Sequence, residues 1–522
     1  MNSHRAGIVL SALIWFSLSG LSAPDALAQE PPPGQAAATL AALQERLAAH
    51  ISHPRFAAAS WGAKVVSLDT GQTLFEHNAN KLFSPASNAK LYTVALALDR
   101  LGADHRIKTS LYAKAPPDKR GTLKGDLVVY GRGDPTLNAR LHGGDIYQAL
   151  QPLVTGLRLA GVKRIKGELI GDESYFRGPP FGSGWDCDDL QYYYGAEISA
   201  LTINDNTLQL SVKPGASNGL PCRITLAPAT SLVAISNRTH TVAQGEKRGI
   251  RLYRPIGENV IYVSGPMPTD DAGYREDVTI HNPAFFFVSF LKEAMAREGI
   301  TVSGRIRTVN WQDREAAPVD FGKWVELGCV ESLPLSDIAR EVQKPSQNLY
   351  TDLLLAHVGV NSPPAEGVAV NVTSEEAGIK ALNRFLAEAG VRRGDVLFEE
   401  GSGLSRNNLV TPNATVALLQ FMDRHPWAGA YRDALPVAGV DGTLRNRMKG
   451  TAAAGNVKAK TGTLRWANSL SGYVTTAAGE RLIFSLMLNR YHNPDPNRPT
   501  RADLDAIAVM LADFAGHSGK TD

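Results

Sequence analysis

The chain has 522 residues, too many for one hydrophobic core and enough for two or three domains. Apolar residues at 43% and charged residues at 20% exclude a disordered or low-complexity protein. A net charge of +3 is too small for this length to point to a polyanionic partner, and no nucleic acid is expected.

At the start, His4 and Arg5 precede a mostly apolar run, residues 6–21, and Ala26-Leu27-Ala28 places small residues at both cleavage positions. That pattern predicts a signal peptide over 1–28, a mature start at Gln29, and a periplasmic or otherwise extracytoplasmic protein. No later stretch approaches about 18 unbroken apolar residues, so nothing beyond peripheral contact with a membrane is left open. Leu40, Leu43 and Leu47 give helical spacing over 34–50. A β-hairpin follows, with strands at 63–68 and 73–77 around Asp69-Thr70-Gly71. Next comes a helix, with Ser84 read as its N-cap, Pro85 at the first position, apolar residues over 91–101 and Gly102 as the stop.

Residues 121–275 alternate Gly, Pro, Asn and Asp clusters with short strand-like runs such as 126–130 and 208–212, which predicts a β-rich region. Helical patterns return over 284–298, 335–358, 374–389 and 412–424. Three strands are expected at 457–461, 469–476 and 481–489, then a helix over 501–516. Strands near both chain ends, with helices between, predict one sheet built from the two. Cys187, Cys222 and Cys329 show no metal-binding spacing, and no metal site or cofactor is expected. In an oxidising compartment Cys187 and Cys222 could pair, a question that spacing alone leaves open.

The chemistry concentrates in three short motifs. Ser87-Asn88-Ala89-Lys90 places serine and lysine on one helical face, where a lysine of lowered pKa can take the serine proton. The first helical turn adds free backbone N–H groups that favour developing negative charge. A second match, Ser289-Phe290-Leu291-Lys292, lies inside an apolar helix with no capping signal and reads as packing. Ser346-Gln347-Asn348 offers a hydroxyl and an amide, and has a rival in Ser405-Arg406-Asn407. Lys460-Thr461-Gly462-Thr463 ends a strand, where its lysine can attract a carboxylate and its glycine admits a ligand backbone.

Taken in order, Ser-x-x-Lys, Ser-x-Asn and Lys-Thr-Gly form the set of penicillin-binding proteins and class A β-lactamases. From about residue 60 to 490 the chain resembles the class C, low-molecular-mass penicillin-binding proteins, the D-alanyl-D-alanine carboxypeptidase/endopeptidase family. The resemblance includes Gly131-Arg132-Gly133-Asp134-Pro135-Thr136-Leu137 and Asp188-Asp189-Leu190-Gln191-Tyr192-Tyr193-Tyr194-Gly195-Ala196. It continues in Gly401-Ser402-Gly403-Leu404-Ser405-Arg406 and Gly439-Val440-Asp441-Gly442-Thr443-Leu444. Because Ser405 falls in a separate family stretch, Ser346 and Asn348 are the second motif. Two departures are Glu400, where the family usually has aspartate, and Cys187, where an aromatic residue is expected.

The resemblance implies catalysis by Ser87, Lys90 and Ser346. Asn348, Lys460, Thr461, Gly462 and Thr463 would bind substrate, and the Ser87 and Thr463 backbone N–H groups would form an oxyanion hole. It implies a serine D-Ala-D-Ala carboxypeptidase, and an endopeptidase where cross-links are cut, with peptidoglycan stem peptides as substrate and β-lactams as covalent inhibitors. The implied fold is an α/β (α+β) penicillin-binding, serine β-lactamase-like transpeptidase domain, an antiparallel sheet flanked by helices, with inserted β-rich domains. Ser87 and Ser346 stand 259 positions apart yet must converge, which independently requires an insertion. The expected partition is a catalytic domain from 29–115 and 276–522, and an inserted region, 116–275, of two nested domains. The alternatives are a serine β-lactamase, for which no Glu-x-x-Leu-Asn segment is present, and a non-catalytic wall-binding protein, against which the intact motifs argue.

Overall fold

A computed structural model describes residues 36–362, 372–495 and 497–519. The predicted signal peptide lies outside the described residues, as do the first two positions of the helix expected over 34–50.

The strand Arg481–Asn489 is buried along nearly its whole length. Leu482, Phe484, Leu486 and Leu488 face one core, while Ile483 and Met487 face another. Such a strand needs cover on both sides, and each fully buried aliphatic side chain contributes about 1.5–3 kcal/mol. It is the middle strand of five, in the order 458–464, 467–475, 481–489, 60–67, 73–77, with every neighbouring pair antiparallel. The sheet therefore joins strands from near both ends of the chain, as the sequence predicts. Helices Leu40–Ile51 and Arg501–Ala512 cover one face. Ala89–Leu101, Leu335–Gln343, Asn348–Asn361, Ser374–Glu388 and Pro412–Asp423 cover the other.

A separate core gathers side chains from Leu111 to Leu327. Its mixed five-stranded sheet runs 306–309, 169–172, 127–130, 108–113, 325–331. Helices Ile146–Leu159 and Pro283–Arg297 pack into the same core, as do two three-stranded sheets built from 207–279. This is the expected antiparallel sheet flanked by helices with inserted β-rich units, but side-chain packing draws the boundary differently from composition. Strand Tyr274–Thr279, helix Pro283–Arg297 and strand Val325–Glu331 lie within 276–331 or straddle its start, and they pack with the inserted core. The helix Ile146–Leu159 also departs from the β-rich expectation, and its Ile146, Ala149, Leu150, Leu153, Val154 and Leu157 keep helical spacing. Pro152 inside it and the surrounding turn residues masked the pattern.

The neck of this insertion is narrow. Strands Lys108–Ala113 and Val325–Glu331 pair antiparallel, and Leu335 N–H and Ser336 N–H donate to the carbonyls of His105 (2.8 Å) and Ala103 (2.9 Å). The chain leaves and returns at adjacent points, so helices Ala89–Leu101 and Leu335–Gln343 share one core despite their distance in sequence.

Among the described residues no helix is long and apolar enough to cross a membrane. All three cysteines are free: Cys187 is exposed and Cys222 is buried, its Sγ 3.9 Å from Thr241 Oγ1, so the two do not pair.

Candidate active site

Ser87 sits in a 3-10 turn, Ala86–Asn88, which leads directly into the helix Ala89–Leu101. The helix does not begin on a Ser84 cap. Pro85 occupies the cap position without a side-chain hydrogen bond, and the Ser84 backbone N–H is held by Asn489 Oδ1 at 2.8 Å. Three contacts fix the turn. Ser469 Oγ donates to Pro85 O (2.6 Å), and Asn88 Nδ2 donates to Ser471 Oγ (2.7 Å). A Cβ on Gly403 would lie 1.9 Å from Ala86 O, so only glycine fits there. Ala86 itself is left-handed at φ 46°, strain of about 1–2 kcal/mol held immediately before the serine.

The second motif breaks what sequence reads as one helix over 335–358. Helices Leu335–Gln343 and Asn348–Asn361 are separated at Pro345, and Ser346 is left-handed at φ 68°. That kink directs Ser346 Oγ to Lys460 Nζ at 2.8 Å. The third motif lies on Lys458–Leu464, the edge strand of the catalytic sheet. Gly462 is required because a Cβ there would lie 2.4 Å from Pro85 O and 2.2 Å from Ser469 Oγ. Thr461 Oγ1 donates to Thr443 Oγ1 at 2.8 Å, while Thr463 is exposed to the cleft.

Lys90 is wholly buried, and its Nζ lies 2.9 Å from Ser87 Oγ, 2.6 Å from Asn348 Oδ1 and 2.6 Å from the Ser402 carbonyl. Burial lowers its pKa to about 8, against the opposing pull of the Glu400 and Asp352 carboxylates. A neutral lysine has two N–H groups and one lone pair. Asn348 and Ser402 O can accept only the N–H groups, which leaves the lone pair for the Ser87 hydroxyl. Lys460, equally buried, is held well below the ordinary lysine pKa by burial and then by the charge of Lys90. Asn348 Nδ2 donates to the Tyr194 carbonyl (2.9 Å), fixing its Oδ1 toward Lys90.

All eight predicted site residues converge. Ser87, Ser346, Asn348, Thr461 and Thr463 line a cleft of about 440 Å³ together with Tyr193, Tyr194 and Thr443. Lys90 and Lys460 reach the cleft hydroxyls from buried positions. The rival serines do not join them. Ser289 Oγ donates to Phe285 O within its own helix (2.7 Å), and Ser405 Oγ donates to Glu399 (3.2 Å).

Sequence reasoning noticed Glu400 only as a departure and missed its work. Its carboxylate accepts from Ser402 N (2.8 Å), Ser402 Oγ (2.5 Å), Gly403 N (2.7 Å), Ser405 N (3.3 Å) and Asn408 Nδ2 (2.6 Å). It thus holds the loop whose Ser402 carbonyl orients Lys90. Asp352, whose pKa burial pushes well up, receives Gly401 N at 3.0 Å beside it. Among the described residues no group of three or more His, Cys, Asp or Glu could hold a metal ion.

A profile of the D-Ala-D-Ala carboxypeptidase 3 (S13) family matches residues 43–511. The chain belongs to that family. This S13 member is 35% identical over 495 residues to the D-alanyl-D-alanine carboxypeptidase of Actinomadura sp. (strain R39), covering 92% of this chain and 86% of that protein. It is 26% identical over 440 residues to the D-alanyl-D-alanine carboxypeptidase DacB of Haemophilus influenzae, covering 83% and 86%. The fold is similar to that of penicillin binding protein 4 (dacB) from Haemophilus influenzae, with a TM-score of 0.73 and 24% identity over 87% of this chain and 96% of that one. A second structure of that protein, complexed with a β-lactam, gives a TM-score of 0.68 and 22% identity, covering 87% and 96%.

Proposed function

We propose that the cleft carries the acyl-transfer chemistry of a serine D-Ala-D-Ala carboxypeptidase acting on peptidoglycan stem peptides. The observation that carries the reading is the Lys90 amine, buried, of lowered pKa, and with both N–H groups accounted for opposite Ser87 Oγ. Lys90 takes the Ser87 proton as Oγ attacks the carbonyl of the penultimate D-alanine. Backbone N–H groups of Ser87 and Thr463 receive the oxyanion. The proton taken by Lys90 passes to the leaving D-alanine amine through the Ser346 hydroxyl, which Lys460 holds, and the Thr461 and Thr463 hydroxyls beside Lys460 hold its carboxylate. Water then hydrolyses the ester. Where the amine belongs to a neighbouring stem, the same steps cut a cross-link.

A β-lactam would acylate Ser87 in the same way, but its leaving amine stays tethered and shields the ester from water. Family membership favours this reading over a β-lactamase or a non-catalytic wall binder. The test is labelling by a fluorescent penicillin. Ser87→Ala should abolish it and Ser289→Ala should leave it intact, with one equivalent of adduct on the Ser87 peptide by mass spectrometry. Labelling that survives the first change, or rapid turnover without an adduct, would overturn the assignment.

Export rests on the N-terminal pattern of residues 1–28. N-terminal sequencing of the extracytoplasmic protein should read from Gln29, within a few residues, and an intact Met1 there would refute the signal peptide.

A further inference from the structure

The cleft continues past Arg465. A second cavity of about 380 Å³ shares Arg406 and Arg465 with it and extends to Lys81, Trp466 and Arg490. Its charge is of one sign, for no Asp or Glu lines it. Arg406 pairs with Asp186 at 2.9 Å, whereas Lys81, Arg465 and Arg490 make no ion pair among the described residues. Unpaired cations gathered in a concavity raise the local concentration of anions. Trp466 stands among them, 51% exposed, in the left-handed conformation at φ 67°. Its carbonyl accepts from Arg490 N–H at 2.6 Å and its ring meets His492 edge-on at 5.2 Å, so the indole is held rather than loose. A tryptophan fixed outward with strained backbone offers one flat apolar face beside a polar rim.

The two cavities are linked by the sheet. Lys458–Leu464 is an edge strand, which a bound peptide can extend through main-chain hydrogen bonds. A peptide lying along it past Thr463 reaches the Arg465–Trp466 turn directly. We propose that this cavity binds the portion of peptidoglycan remote from the cleaved bond. The free carboxylates of the stem lie among Lys81, Arg465 and Arg490, and a sugar ring lies against Trp466. The inference rests on the carboxypeptidase reading for its choice of ligand and adds a subsite that recognises an acidic glycopeptide rather than the D-alanine end.

The test separates binding from catalysis. Full-length protein is sedimented with purified insoluble peptidoglycan at low salt, and penicillin acylation is followed in parallel. The double variant Lys81→Ala/Arg490→Ala, and separately Trp466→Ala, should weaken co-sedimentation about fivefold to tenfold while leaving the acylation rate unchanged. Amidating the wall carboxylates should weaken wild-type binding to a similar degree. Three results would overturn the proposal: variants that sediment like wild type, acylation that falls in step with binding, or wild-type binding to anionic lipid vesicles in place of the wall. Penicillin labelling of the wild type reports on the cleft alone, so failure of the carboxypeptidase reading would be recognised separately.

Discussion

Lys90 gives up its proton more readily than an exposed lysine because no water surrounds it to solvate the charge. With a pKa of about 8, about one molecule in ten holds it neutral at pH 7, against about one in 2,500 for an ordinary lysine. If the neutral amine is the base, the penicillin acylation rate should climb about tenfold per pH unit below about 8 and level off above it. Glu400 pulls the other way, since its negative charge favours the protonated amine. Glu400→Gln should therefore move the break to lower pH, while leaving donors unmatched at a cost of about 1–3 kcal/mol. Stopped-flow acylation across pH 6–10 decides it: a break that stays or rises would mean that Lys90 does not control the rate. The sign for stability follows from the same depression. The folded protein releases this proton more easily than the unfolded chain, so Lys90 favours the folded state increasingly as pH rises from about 8 toward the ordinary lysine value.

Regular elements are legible in the sequence and their interruptions are not. The hairpin strand Thr73–His77 falls where alternation and turn chemistry place it, and the central strand Arg481–Asn489 likewise. Both signals are local, a period of two with a turn beside it. The break at Pro345 was hidden because apolar spacing continues across it, from Leu335 and Ile338 into Leu349 and Leu353. The 3-10 turn at Ala86–Asn88 has the sequence signature of plain helix, because tertiary contacts to Ser469 and Gly403 impose it. The motif residues themselves were legible, whereas Glu400 and the Ser402 carbonyl act through loop geometry that no spacing reveals. Gly462 tests how closely the edge strand must approach the Ser87 turn. Gly462→Ala should slow penicillin acylation at least about a hundredfold, since a 1 Å misplacement costs that much. Gly429→Ala, in a helix and with no atom near its Cβ, should not. Equal rates for both would show that the strand can yield.

The molecule as a whole uses its insertion as a wall of the site. Tyr194 holds Asn348 through its carbonyl, and two residues later in the same helix Tyr350 OH donates to Asp205 Oδ1 (2.5 Å) and accepts from Asn138 Nδ2 (2.6 Å). Burial and the nearby Asp205 carboxylate raise the Tyr350 pKa far above its ordinary value, so it stays a donor at all working pH. Tyr350→Phe would leave Asp205 and Asn138 short of a partner in a buried place. We expect a loss of about 1–3 kcal/mol, read from the urea midpoint, and slower acylation through a less firmly placed Asn348. An unchanged midpoint would show that the two cores do not lean on each other there.

The pairing of residues 60–67 with 482–489 has a consequence for timing. Ser87 is made early, but the lysine and strand that complete its surroundings belong to the last stretch of the chain. Contacts so distant in sequence form slowly and late, whereas the insertion can settle on its own shorter-range pairings first. A ribosome-bound or truncated chain ending before residue 458 thus carries the nucleophile without Lys460 or the edge strand. Lys90 is made beside the serine, but the cleft that positions a substrate for them closes only with strands 458–489, so hydrolytic competence waits for that late segment.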